Sequence, residues 1–167
     1  MDFTHIDAEG KVRMVDVTDK AVTSREATAG GTIAMNPQTL TAILDASIKK
    51  GNVLETARIA GILAAKQTSS LIPMCHPLQI THAAIDFFPD RPAGTIRIEA
   101  SVRVPGKTGV EMEALAAVTI AALTIYDMCK SVDRGMQISD ICLQEKKGGK
   151  SGHYVRNSQT EKIERTP

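Results

Sequence analysis

Acids and bases bracket the most apolar stretch of this chain. Thr108 to Asp133 reads TGVEMEALAAVTIAALTIYDMCKSVD, with Glu111 and Glu113 at its front and Asp127 and Lys130 at its back. On a helix, residues three apart have Cβ atoms about 5–6 Å from each other, so Asp127 and Lys130 would stand side by side. Two readings of that pair are open. It is a surface ion pair, worth well under about 1 kcal/mol, or it is a half-desolvated pair whose shifted pKa values suit proton transfer, because the residues before it are apolar. Glu113 lies 14 residues before Asp127. At about 3.6 residues per turn the two point to one side, and at about 1.5 Å rise per residue they are about 21 Å apart. One small ligand cannot touch both from the same helix. If both ends work, a two-fold dimer with antiparallel helices is the simple way to bring one subunit's front to the other's back.

Other polar groups are candidates to join those ends. In Cys75-His76-Pro77 the proline holds His76 in an extended turn. That histidine is a structural turn residue, or a ligand contact if a pocket forms there. His82 falls within a strand pattern, and His5 and His153 lie toward the chain ends. Gly106-Lys107-Thr108 and Gly149-Lys150-Ser151 resemble the end of a phosphate loop, but Ser101 and Gln144 stand where a Walker A loop requires its first glycine. The run Lys146-Lys147-Gly148-Gly149-Lys150 could still wrap an anion with charge and exposed amides; its plainer reading is a solvated basic loop.

The elements that would position these groups follow from periodicity. Glu26 to Met35 is a first strand, whose Gly30-Gly31 pair marks a bulge or a close backbone approach. Asn36-Pro37 starts a helix as N-cap and first-turn proline. Leu40, Ile43, Leu44 and Ile48 continue it at helical spacing, and Gly51 stops it with Lys49 and Lys50 in the last turn. Val53 to Lys66 is a second helix with a small-residue stripe, apolar on more than one side and therefore buried on more than one face. Leu71 to Pro77 is an irregular link. Ile80 to Phe88 and Ile96 to Val104 form a hairpin around Asp90 to Gly94, the second strand alternating cleanly between apolar and charged residues. The long helix comes next, then a strand from Met136 to Leu143. Residues 1–24 read as an arm in which Met14 to Val17 could be a short strand, and residues 158–167 as a disordered tail to a single domain spanning 1–157. Strands in antiparallel hairpins with helices between them give an α+β fold, and the order β-α-α-β-β-α-β fits a ferredoxin-like sheet with helices on one face.

Composition removes several classes. The 167 residues carry a net charge of +1, with 3% aromatics and no Trp. Nothing there draws the chain to nucleic acid or supplies base-stacking platforms. Three scattered cysteines, without a CxxC pair, read as reduced thiols rather than a disulfide framework or a zinc site. The N-terminal MDFTHIDAEG is too polar for a signal peptide, and the run Ala114 to Tyr126 is shorter than the ~20 residues of a membrane span.

With those residues in view, the chain resembles the cyclic pyranopterin monophosphate synthases, the molybdenum cofactor biosynthesis protein C family. The matching stretches are MVDVTDK (14–20), ETARIAGILAAKQT (55–68), LIPMCHPL (71–78), GKTGVEMEAL (106–115), AALTIYDMCK (121–130) and GGKSG (148–152). The resemblance implies an enzyme that rearranges 3′,8-cyclo-7,8-dihydroguanosine triphosphate to a tricyclic pterin with a cyclic phosphate and releases pyrophosphate. It implies a ferredoxin-like protein, assembled in the cytoplasm as a homohexamer of three dimers with sites between dimer partners. It carries Asp127 and Lys130 over as the catalytic pair. Met74, Cys75, His76, Met112, Glu113 and Glu111 become substrate contacts, and Lys66, Lys50 and Lys146 become cations facing triphosphate or ring, with Arg25 a weaker candidate. No cofactor is implied, and Mg²⁺ could accompany the triphosphate.

Two other readings compete. A non-catalytic pterin- or nucleotide-binding assembly module explains the fold but not the acid–base groups at both helix ends. A phosphatase or nucleotide hydrolase needs a metal cluster or a nucleophile motif, and the sequence offers neither.

Overall fold

The computed structural model describes residues 9–150 and 152–156. Five strands form one antiparallel sheet: β1 (Thr23–Ala34), β2 (His82–Asp90), β3 (Thr95–Gly106), β4 (Gln137–Lys147) and β5 (Tyr154–Val155), in the order β2-β3-β1-β4-β5. Helices α1 (Pro37–Leu44), α2 (Val53–Lys66), α3 (Thr68–Leu71) and α4 (Glu111–Cys129) complete the elements among the described residues. With α2 between β1 and β2 and α4 between β3 and β4, the first four strands have the order of a ferredoxin-like sheet, as expected.

The alternation in β3 explains why the sheet has one covered face. Ile96, Ile98, Ala100, Val102 and Val104 are buried, as are Ala27, Ala29 and Ile33 on β1. They meet Ala114, Ala117, Val118, Ala121, Ala122 and Ile125 of α4. The intervening residues of β3 pair on the open face, Arg97 with Glu99 and Arg103 with Glu26. The small-residue stripe of α2 lets it lie close to α4: a Cβ on Gly61 would come 2.8 Å from the Ala117 carbonyl oxygen. Gly30 and Gly31 mark both features expected of them. The β1–β4 register shifts between Thr28 and Ala29 and again between Gly30 and Thr32, a Cβ on Gly30 would occupy the Gln144 amide, and one on Gly31 would be 2.8 Å from Val118 Cγ1.

Four local expectations are corrected. The first helix ends at Leu44, not Gly51, so Lys49 and Lys50 lie in a loop that turns back through Ala46 (φ 53°) and Gly51 (φ 102°). Asn36 makes no side-chain cap; the backbone N–H of Asn36 donates instead to Asp133 Oδ2 at 2.8 Å. Met14 to Val17 form no strand, and Lys146 and Lys147 belong to β4 rather than to the loop after it. The two-residue β5 was not expected; it carries no periodic pattern and exists by pairing Val155 and Tyr154 with Glu145 and Lys146. His5 and the tail 158–167 lie outside the described residues.

α4 has 19 residues and is apolar enough to cross a membrane by length and composition, but half of that window is buried within the protein. It is the core helix of this fold. One side packs on the sheet and α2, while Met112, Thr119 and Leu123 face outward.

Candidate active site

The front of α4 opens into a cavity of about 1120 Å³. Five segments wall it: the arm around Val15 to Ala21, the start of β1, the turn Met74 to Leu78, the β3–α4 junction, and the end of β4 with its glycine loop. Met74, Cys75, His76, Glu111, Met112, Glu113 and Lys146, singled out along 72 residues of sequence between Met74 and Lys146, all line this one cavity.

Its chemistry is graded from dry to basic. Glu113 is 4% exposed, and burial pushes its carboxyl above the usual range; a contact with its own backbone N–H offsets part of that, and Glu111 adds to the rise. Burial also raises the Cys75 thiol, helped by the neighbouring charge of Glu113. Glu111 is the acceptor of a 2.6 Å ion pair from Lys146 Nζ. A Cβ on Gly109 would fall on the Glu111 carboxylate in its present position. On the opposite wall Gly148 (φ 94°) and Gly149 (φ 77°) adopt backbone that side chains rarely enter. A Cβ on Gly149 would fall on the Arg25 guanidinium, which donates from Nε to the Gly106 carbonyl at 3.3 Å. The loop is thus pressed against Arg25, with Lys107 and Lys150 beside it.

Sequence reasoning gave too little weight to this basic wall. Arg25 was a weaker candidate, and Lys107 was noticed only in a triplet that failed as a phosphate loop. Lys107 Nζ donates to the Thr18 carbonyl at 2.6 Å, which ties the arm to the site. Asp16, whose carboxylate accepts from Thr18 N (2.8 Å) and Oγ1 (2.7 Å), and Lys20 line the cavity as well. The signal for Asp16 and Lys20 lies in MVDVTDK, whose alternating polar residues equally suit a solvated arm.

The back of α4 is different. Lys130 Nζ lies 2.6 Å from Asp127 Oδ1, and Lys50 Nζ lies 3.6 Å from Oδ2 while donating to the Asp127 carbonyl at 2.7 Å. The hydrogen bond from Lys130 holds the Asp127 carboxyl below its ordinary value, Lys50 contributes, and the same contact raises the Lys130 ammonium. Of the two readings of the pair, the single chain shows the surface ion pair and not the half-desolvated one: the Asp127 and Lys130 side chains are 58% and 53% exposed. They stand on the outward side of the end of α4, whose inward residues Ile125, Met128 and Cys129 stay buried in the core. Lys66 joins neither cluster; it is exposed at the end of α2 and absent from the cavity wall.

Among the described residues, no group of three or more His, Cys, Asp or Glu side chains comes together as a metal site would require. The arrangement offers two kinds of chemistry: anion binding and a carboxyl with a raised pKa at the front, a carboxylate with a lowered pKa between two ammonium groups at the back.

Comparison with known proteins adds the following. The model of the MoaC family matches residues 14–149. The chain is 62% identical over 154 residues to the cyclic pyranopterin monophosphate synthase of Desulfatibacillum aliphaticivorans, covering 92% of this chain and 97% of the relative. It is 62% identical over 154 residues to the enzyme of that name from Desulforapulum autotrophicum, covering 92% and 94%. The one from Syntrophomonas wolfei is 57% identical over 157 residues, covering 94% of this chain and 100% of the relative.

Proposed function

The chain belongs to the MoaC family, and from that membership and the site geometry we propose how it acts as a cyclic pyranopterin monophosphate synthase. It converts 3′,8-cyclo-7,8-dihydroguanosine 5′-triphosphate to cyclic pyranopterin monophosphate with release of pyrophosphate, an early step of molybdenum cofactor biosynthesis. The observation that carries the mechanism is the pairing of a basic, glycine-lined cavity at one end of α4 with the Lys50–Asp127–Lys130 cluster at the other.

The triphosphate lies against Arg25, Lys107, Lys146 and the Gly148–Gly149 amides, where cations stabilise the charge that accumulates as pyrophosphate leaves. Met74, Cys75, His76, Met112, Glu111 and Glu113 hold the ring system. Opening an imidazole-derived ring and closing a pterin moves protons at several atoms, which needs groups of both kinds in place. Glu113 is favoured in its neutral, donating form. Asp127 is favoured as a carboxylate, coupled to Lys130 so that protons come and go from the pair. Lys50 holds the Asp127 backbone and carboxylate together, and Lys66 supplies a further cation to the assembled site.

Both halves act on one molecule only if two chains share it, because about 21 Å of helix separates Glu113 from Asp127. A two-fold pair with antiparallel α4 helices meets that need, and three such pairs make a cytoplasmic homohexamer. Support for the pairing comes from apolar side chains facing outward on α2 and α4, with Ile59 61%, Leu63 50% and Leu123 51% exposed. No cofactor is required, and any Mg²⁺ arrives with the triphosphate. A non-catalytic binding module is not favoured.

The test is to incubate the protein with the cyclised triphosphate and follow pyrophosphate release and pterin fluorescence after oxidation. Product that continues to form in EDTA fits the metal-free chemistry. Loss in EDTA with recovery on Mg²⁺ would require the ion, and substrate binding without product would leave only the binding-module reading.

A further inference from the structure

Asp133 is a carboxylate that belongs to neither half-site, yet it is 4% exposed and its oxygens are engaged by three donors. Oδ2 accepts from Asn36 N at 2.8 Å and Thr39 Oγ1 at 3.2 Å, and Oδ1 accepts from Gly135 N at 3.0 Å. Its own backbone N–H closes on the Cys129 carbonyl at 3.1 Å, so it is fixed to the end of α4. Asn36 leaves the start of α1 without a side-chain cap. The first amides of a helix are unsatisfied and carry partial positive charge, which a carboxylate complements. Asp133 therefore caps α1 from 97 residues away.

What α1 leads to gives that cap a consequence. After Leu44 the chain turns through Ala46 and Gly51 and delivers Lys50 to Asp127. The segment from Asn36 to Lys50 is thus tied to α4 at both ends, to Asp133 at the first and to Asp127 at the second. Leu40 and Ile43 bury the middle in the core. Loosening the first tie would let the segment rotate about its core contacts and move Lys50.

We infer that Asp133 is a positioning residue for the reaction: it locks the start of α1 to the end of α4 and so sets where the Lys50 ammonium meets Asp127. This rests on the reading that Lys50 serves the reaction with Asp127 and Lys130.

Asp133→Asn turns one acceptor into a donor facing donors, and Thr39→Val removes one donor more gently if the first variant fails to fold. Two readouts are taken on the assembled protein: turnover at saturating substrate, and the rate at which each lysine is reductively methylated, resolved by peptide mass spectrometry. The expected result is a fall in turnover of between about ten- and a hundredfold for Asp133→Asn, a smaller fall for Thr39→Val, and faster methylation of Lys50 in both with Lys20 and Lys66 unchanged. Unchanged turnover overturns the proposal, and so does a fall with Lys50 labelling unaltered or with all lysines labelled faster together. Lys50→Ala is measured beside them. Wild-type turnover in that variant would overturn the underlying assignment of Lys50, a failure distinct from that of Asp133.

Discussion

At the front of α4 a carboxyl is walled in by protein and resists ionising; at the back a carboxyl stands in solvent and is kept ionised by two ammonium groups. Glu113 and Asp127 ride the same helix, yet their pKa values move in opposite directions for different reasons, burial at one end and hydrogen-bonded cations at the other. The difference is one of completeness. The front is a formed cavity that one chain builds from five segments. The back is a chemical group without walls, and it becomes a site only when something covers it. A partner's front is what the two-fold arrangement would place there.

The largest expected effect separates chemistry from folding at the open end. Asp127→Ala and Lys130→Ala each lower turnover by at least about a hundredfold, while the melting temperature hardly moves, because both side chains are exposed. Turnover assays paired with thermal melts check this. Near-normal turnover in either variant removes that residue from the reaction.

The walled end breaks differently. Gly149→Ala puts a side chain into left-handed backbone and onto the Arg25 guanidinium. Strain of about 1–3 kcal/mol, released by moving the loop, should raise KM roughly tenfold and lower kcat less. Steady-state kinetics decide this, and a variant that changed kcat alone would place the loop outside triphosphate binding.

How far the sequence showed this contrast depended on whether the signal was local. The alternation of β3, the small-residue stripe of α2 and the apolar run of α4 are repeated patterns, and each produced the element read from it. The paired readings of Gly30 and Gly31 also held, since a missing Cβ records a close neighbour. What stayed hidden depends on distant parts of the chain. Asp133 caps the start of α1 across 97 residues, and Lys50 reaches Asp127 across 77, so neither the uncapped Asn36 nor the loop after Leu44 could be read locally. β5 exists only through β4. The exposure of Asp127 and Lys130 depends on which side of α4 meets the core, and a uniformly apolar helix does not reveal that. Met74, Cys75, His76 and Glu111 were legible because they sit in tight motifs. Lys107 was undervalued because its partner Thr18 lies 89 residues away, and Asp16 because the cavity it lines is built from distant segments.

The smallest expected effect is a pH-dependent one. The folded pKa of Glu113 is raised above its unfolded value, so the folded state prefers the protonated form. Relative to the ionised group, that contribution is present in full below the unfolded pKa and is lost as pH rises through the folded pKa. Glu113→Gln should therefore leave Tm nearly unchanged at low pH and raise it by about 2–4 °C at pH 8 for each kcal/mol of relieved burial cost. Melting curves across that range give the answer; a gain that shrank with rising pH would mean that Glu113 is ionised and paired in the folded protein.

The shared site is tested most directly by mixing two inactive variants, His76→Ala at the front and Lys130→Ala at the back, under conditions that exchange subunits. With random two-fold pairing, half of the dimers are hybrids and each hybrid keeps one intact site, so about a quarter of wild-type turnover should return. Hybrids seen by native mass spectrometry that remain as inactive as their parents would contradict a site built from the front of one α4 and the back of another.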